Sequence, residues 1–286
     1  MQGGDLGGDG QLVFGLGRYF DGIDTGEAAA HEFAAVQLGL LSPDQQRVRV
    51  AIGDPCDPSR RPTNFAISTL ALRYDRATGA ATFLLHRRDP QKVGHAGGLY
   101  QVLPTGVFQA AGEAEWNLRN DFDVWRSMIR EYAEELLGGS EDYGAERAPI
   151  DYGAWPFAAA MTHGLVEGSS RAHVLGLGFD PLTFATDLLT VVVIDSALYD
   201  DLFGGMISTF DEGHVVSALD DGPSTNGVPF TAETVTRFVE RDDFVEVECL
   251  TIPQHEKRVL RCRTLVLAAG AAVLWSAWQH RAVLLG

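Results

Sequence analysis

Ile129-Arg130-Glu131-Tyr132-Ala133-Glu134-Glu135-Leu136-Leu137-Gly138 is the stretch on which the reading of this chain turns. At about 100° per residue, a helix gathers Ile129, Tyr132, Ala133 and Leu136 into one apolar stripe. Glu131, Glu134 and Glu135 then fall within roughly a 100° arc on the other side. Gly138 and Gly139 supply a stop, because a residue without Cβ enters the left-handed region at little cost. Three carboxylates on one face repel one another unless a cation or a proton relieves them. Hard divalent cations suit such oxygen ligands, and Mg2+ in particular combines a few carboxylates with water and phosphate oxygens. The same spacing also describes an amphipathic helix with a solvated acidic face. Arg130, four residues before Glu134, is placed to pair with it.

Working outward, the helix is expected to begin near Phe122 or Asp123, after a polar loop from Gly112 to Asp123. Upstream, Phe65 to Tyr74 mixes apolar residues on both alternating sets, which predicts a strand covered on both faces. Asp75-Arg76-Ala77-Thr78-Gly79 is a turn signal, and Ala80–His86 completes a hairpin. A third strand is expected over Leu99–Leu103, ended by Pro104 and Gly106. Downstream, Ala158–Thr162, Ala172–Gly178 and Leu188–Asp195 read as strands, and Phe230–Arg241 as a helix with Thr231 as cap.

The ends read differently. Residues 1–10 are half glycine and are expected to be a flexible leader. Residues 11–62 form an N-terminal extension, with a helix expected over Glu27–Leu40 whose Ala28, Phe33, Val36 and Leu40 approximate one face. Gly53, Pro55, Pro58 and Pro62 break it from a main domain over 63–241. Residues 242–286 form a C-terminal extension. Its uncharged run from Thr264 to His280 falls short of the ~20 apolar residues of a spanning helix, and reads as a buried helix packed on the core.

Composition sets the outer limits. The 286 residues carry 22 basic and 39 acidic side chains for a net charge of −17, with 45% hydrophobic and 21% charged residues. That is a globular balance, and it argues against a broad basic surface for nucleic acid or anionic lipid. Cys56, Cys249 and Cys262 are too few and too scattered for a disulfide scaffold or a cysteine zinc site, which fits a cytoplasmic protein. No secretory leader is visible, since no basic residue precedes Arg18.

With these elements in place, Arg130-Glu131-Tyr132-Ala133-Glu134-Glu135 resembles the Arg-Glu-apolar-x-Glu-Glu centre of the box that defines the Nudix hydrolases. Leu103-Pro104-Thr105-Gly106 resembles the proline-glycine segment that leads into that box, and His86-Arg87-Arg88 the basic end of the preceding hairpin strand. The likeness covers roughly Thr63 to Asp195. It implies an α/β fold, a Nudix-like α/β/α sandwich with a mixed sheet, here with N- and C-terminal extensions. Gly106 lies twenty-four residues before Arg130, a longer loop than the family pattern, and position 112 is Gly where an early glutamate is expected. Glu113 and Glu115 are both candidates to replace it. The glycine after the glutamate pair is displaced by one, to Gly138.

The resemblance implies hydrolysis of a diphosphate bond in a nucleotide-derived small molecule, with Mg2+ or Mn2+ as cofactor. Glu134 and Glu135 would hold metal, Glu131 would bind metal or activate water, and Arg130 would brace the glutamates. Glu167 is the first choice for a later acidic ligand, ahead of Asp195 and Glu212. Arg87, Arg88, Lys92 and Gly106 would face the phosphates. His95, His163, His173 and His214 lack a tight metal-ligand spacing, and Ser169-Ser170 has no nucleophile-elbow context. Two functions compete: an active hydrolase, favoured by the intact glutamates, and a nucleotide sensor or protein-interaction module, favoured by the long loop and the extensions. Diphosphate isomerisation ranks third. No nucleic-acid or membrane partner is expected, and the two extensions suggest a homodimer.

Overall fold

The computed structural model describes residues 12–89, 91, 98–140, 142–204, 209–210, 213–216, 227–239, 245–250, 257–262 and 266–286. The leader, Lys92, His95 and Glu212 lie outside these residues.

The chain begins with α1 (Tyr19–Gln37) and the short α2 (Arg47–Ile52), then crosses the Pro-rich break into β1 (Phe65–Asp75). A turn leads to β2 (Ala80–Phe83), and beyond Leu84 the strand continues as β3 (Leu85–Arg88). Next come β4 (Tyr100–Val102), β5 (Thr105–Val107), α3 (Glu115–Asp121), α4 (Val124–Leu137) and α5 (Pro156–Glu167). Then follow β6 (Ser170–Phe179), β7 (Thr186–Asp195), α6 (Ser196–Phe203), β8 (Thr209–Phe210), β9 (Gly213–Val216), β10 (Val228–Pro229) and α7 (Ala232–Val239). A hairpin of β11 (Val245–Leu250) and β12 (Lys257–Cys262) precedes α8 (Ala268–Gln279) and α9 (Arg281–Leu284).

The main sheet runs β10-β2-β1-β7-β6, with β5 also on β1. It is mixed: β1 and β7 are parallel from Phe65↔Thr186 to Tyr74↔Asp195, and the other pairs are antiparallel. A second sheet runs β4-β3-β9-β8. Side chains alternate across the main sheet as strand geometry requires. Ile67, Ala71, Leu188, Val192 and Ile194 face one way, packing with Met128, Ile129, Tyr132 and Leu136 of α4 and with Met161 and Phe203. Leu70, Leu72, Leu189, Val191 and Val193 face the other, packing with Val235 and Phe238 of α7 and Val273, Leu274 and Ala277 of α8. The result is the three-layered α/β/α sandwich with a mixed sheet that the sequence led us to expect. Among the described residues, no helix is long and apolar enough to cross a membrane.

Three local readings are corrected. Ala158–Thr162 is not a strand but lies inside α5, where Pro156 sits in the first turn, alanines favour helix and Gly168, at φ 78°, ends it. The segment from Gly112 to Asp123 is not all loop, because it contains α3, whose Asn117 and Asp121 are buried. The N-terminal helix starts eight residues before Glu27 and buries Gly26 and Ala29, whereas Phe33 and Leu40 of the expected face are exposed.

Candidate active site

Helix α4 is built much as its sequence suggests. The Asp123 side chain accepts the Arg126 N–H at 3.0 Å as N-cap, and Gly138 closes the other end in the left-handed region at φ 68°. Burial of the apolar stripe against β1 and β7 leaves Glu131, Glu134 and Glu135 half-buried along one wall of a cleft of about 1310 Å³. The other walls come from α1, from Arg61 to Ala66, from the β6–β7 loop at 178–187 and from the first turn of α8.

Each glutamate has a distinct setting. Glu131 sits against Gly106 of β5, and a Cβ at position 106 would overlap its carboxyl group. A side chain at position 106 would therefore displace the Glu131 carboxyl group from this seat. Glu135 Oε2 accepts the Thr105 backbone N–H at 3.1 Å, and Glu134 Oε1 accepts the Tyr143 hydroxyl at 2.6 Å. Burial, followed by the bond to Glu134, pushes the Tyr143 hydroxyl pKa far up, so Tyr143 remains a donor.

Arg130 is 5% exposed and lies in a buried network beside these carboxylates. Its Nη1 donates to the Tyr152 hydroxyl at 2.6 Å, and its Nη2 donates to the Gln109 carbonyl and, at 3.1 Å, to Ser127 Oγ. The acid within ion-pair distance is Asp121 of α3, at 3.9 Å, which also accepts the Tyr152 hydroxyl at 3.0 Å and the Ala111 N–H at 2.8 Å. Burial pushes the Tyr152 hydroxyl up to about 12 against the opposing pull of Arg130. The loop before α4, through α3, thus supplies the buried counter-ion of Arg130. The arginine ties α4 to that loop, a different brace from the pairing with Glu134 that the i,i+4 spacing suggests.

Other expected residues separate into those at the cleft and those elsewhere. Arg88 and Gly106 line it, while Arg87 is exposed on β3 and does not. Glu167 ends α5 beside His163, at 3.5 Å, next to the start of β6. The cleft meets the opposite end of that strand, at Gly178 and Phe179, so β6 separates Glu167 from the box glutamates. Asp195 is paired with Arg76 at 2.7 Å at the same distant end. Glu113 and Glu115 lie outside the cleft as well, with Glu115 on the exposed face of α3. Among the described residues, no group of three or more His, Cys, Asp or Glu side chains is arranged to hold a metal ion. The glutamates have the donor chemistry for a hard cation, but here Glu134 and Glu135 are engaged by protein donors.

The sequence reading missed Asp187. It opens β7, is 8% exposed, lines the cleft and accepts the Ser68 hydroxyl at 2.8 Å. Burial raises its pKa, with a smaller push from Asp180 and partial opposition from Ser68. An acid at the head of the long apolar run Leu188–Ile194 was the available signal.

Among solved structures, this chain is similar to a MutT/nudix family protein from Enterococcus faecalis, with 12% identity and a TM-score of 0.37 over 94% of this chain and 76% of that one. No family model matches the chain, and no curated protein matches it.

Proposed function

We propose that the protein is a Nudix-type hydrolase that uses Mg2+ or Mn2+ to cleave a diphosphate bond in a nucleotide-derived small molecule. The observation that carries this reading is the placement of Glu131, Glu134 and Glu135 on one wall of a cleft large enough for such a ligand, with Glu131 seated on Gly106. Glu134 and Glu135 would hold the cation, which when bound draws charge from the phosphate oxygens and lowers the pKa of water. Glu131 accepts the proton of the attacking water. Arg130 holds α4 to the loop before it through Gln109 and to the segment after it through Tyr152, fixing where the carboxylates stand. Arg88 brings positive charge to the cleft for the phosphates. From the scattered cysteines and the two extensions we further propose a cytoplasmic homodimer, which a 31.0 kDa species in light scattering would contradict.

Product release from ADP-ribose, dinucleotides, nucleotide sugars and nucleoside triphosphates, with either metal, tests it. Metal-dependent turnover that disappears in Glu134→Gln supports the hydrolase; absence of turnover across the panel removes it. A second reading, a ligand-binding module without turnover, is favoured by the Tyr143 and Thr105 hydrogen bonds that occupy Glu134 and Glu135. On that reading a panel member raises the melting temperature without being consumed.

A further inference from the structure

A second charged feature of the cleft is Arg61, in the break between α2 and β1, a residue absent from the box and from the hairpin. It is 9% exposed and lines the cleft together with Thr183, Phe184 and Ala185. Its Nη1 donates to Thr63 Oγ1 at 2.9 Å and to the Pro62 carbonyl at 3.5 Å. Its Nη2 donates to the Pro55 carbonyl and to Thr186 Oγ1, both at 3.1 Å. Nε is buried without an acceptor among the described residues. The four acceptors are neutral, and no ion pair among the described residues includes Arg61. Its guanidinium also lies 5.7 Å from the centroid of the Phe184 ring.

A guanidinium does not shed its proton at physiological pH, so burial leaves a full positive charge to be balanced. Carbonyl dipoles and an aromatic face reduce that cost but do not cancel the charge. The neutral bonds staple residues 55–63 to the head of β7, and that role accounts for both Nη atoms. It leaves the charge unanswered, in a residue that borders a cleft; Nε has no accessible surface, and the Pro62 bond, at 3.5 Å the longest of the four, is the one an anion at Nη1 would replace. We propose that Arg61 is an anion-binding residue, taking a phosphoryl or carboxylate group of the ligand on the wall of the cleft formed by residues 55–63 and the β6–β7 loop. The ligand therefore carries an anionic group that engages the protein away from the box glutamates. This goes beyond the hydrolase reading, because it requires neither metal nor turnover.

The test uses the full chain in EDTA at constant ionic strength, titrated with inorganic phosphate, with acetate and with chloride. The side-chain Nε–H resonance of Arg61, assigned by its loss in Arg61→Lys, is followed by nitrogen-proton NMR. A saturable shift with phosphate alone assigns a phosphoryl site, and one with phosphate and acetate assigns a general oxyanion site. Arg61→Gln should weaken phosphate binding, read by calorimetry, at least about tenfold, and Arg61→Lys should retain part of it. A wild-type resonance that does not move, or moves equally with chloride, overturns the proposal. That wild-type measurement decides the matter even if Arg61→Gln fails to fold, and its failure leaves the hydrolase reading standing.

Discussion

Arg130 and Arg61 are both buried arginines at the same cleft, yet their surroundings differ in kind. Arg130 has the Asp121 carboxylate at 3.9 Å and shares the Tyr152 hydroxyl with it, whereas the hydrogen bonds of Arg61 go to neutral oxygens alone. A buried charge that is paired belongs to the architecture, and removing its partner strands the other charge. A buried charge that is not paired has its energetic deficit built in, which a ligand can relieve. The α4 wall is therefore internally balanced around Arg130, while on the wall made by residues 55–63 and the β6–β7 loop no described carboxylate stands within ion-pair distance of Arg61.

The largest expected effect falls on the α4 wall. Glu131→Gln keeps the shape against Gly106 but removes the proton acceptor, and kcat should fall by about 10²–10⁴. Steady-state kinetics on whichever substrate the panel identifies would check this, and a fall below tenfold would remove Glu131 from the chemistry. Arg130→Gln should destabilise the fold by about 3–5 kcal/mol, because Asp121 is left buried and unpaired. At this chain length that is a drop in Tm on the order of 10 °C. Pairing it with Asp121→Asn should recover part of the loss in a double-mutant cycle, and strictly additive losses would show the two to be uncoupled. Arg61→Gln, by contrast, loses neutral hydrogen bonds but also a buried unpaired charge, so its Tm should change by the equivalent of about 1 kcal/mol or less. Equal losses for the two arginines would abolish the distinction between the walls.

The same contrast explains what was legible in the sequence. Helix α4 could be read because its stripe, its Asp123 cap and its Gly138 stop all lie within sixteen residues. Likewise β1, β2 and β7 announce themselves through local apolar patterning and turn chemistry. The wall containing Arg61 joins residues 55–63 to Thr186, 125 positions away along the chain from Arg61, and no local period reports such a contact. Asp121 was hidden in a segment read as polar loop, where only the tertiary bonds to Ala111, Tyr152 and Arg130 show that it is buried. The i,i+4 rule offered Glu134 as the partner of Arg130, and it does so for an isolated helix. In the folded chain the segment ahead of α4 competes and wins with the Gln109 carbonyl and the Asp121 carboxylate, joined by the Tyr152 hydroxyl from beyond the helix. Glu167 stands at the end of β6 away from the cleft, and no local pattern in the sequence reports which end of that strand meets it.

A smaller effect probes the interior of the α4 wall. Tyr132 is completely buried against the sheet, with its ring 5.5 Å from that of Phe203, and its hydroxyl has no hydrogen-bond partner among the described residues. Burial accordingly pushes its pKa well up. Tyr132→Phe keeps the ring and removes the unsatisfied group, so the protein should gain about 1–3 kcal/mol. Urea unfolding would show a higher midpoint with an unchanged slope. A loss of stability would mean that the hydroxyl has a partner in solution, and that this side of α4 is less dry than its packing implies.

Asp187 gives the finest test, because its effect depends on pH and its sign can be worked out in advance. The folded protein raises its pKa through burial, so the native state holds the Asp187 proton more tightly than the unfolded chain, where an aspartate titrates near 3.9. The contribution to stability is therefore full below the unfolded pKa and is lost as pH rises through the native one. Above its native pKa the protein carries a buried, charged carboxylate whose hydrogen bond from Ser68 offsets only part of the cost. Asp187→Asn retains an oxygen to accept that bond and carries no charge at any pH. The Tm of the variant should therefore gain on the wild type as pH rises from about 4 and level off above the native pKa. A difference that is constant across pH would show that Asp187 is hydrated when charged, and that the wall it shares with Arg61 is open to water rather than dry. In that case the positive charge of Arg61 would also be screened by solvent, and the anion site would lose the desolvation that gives it its strength.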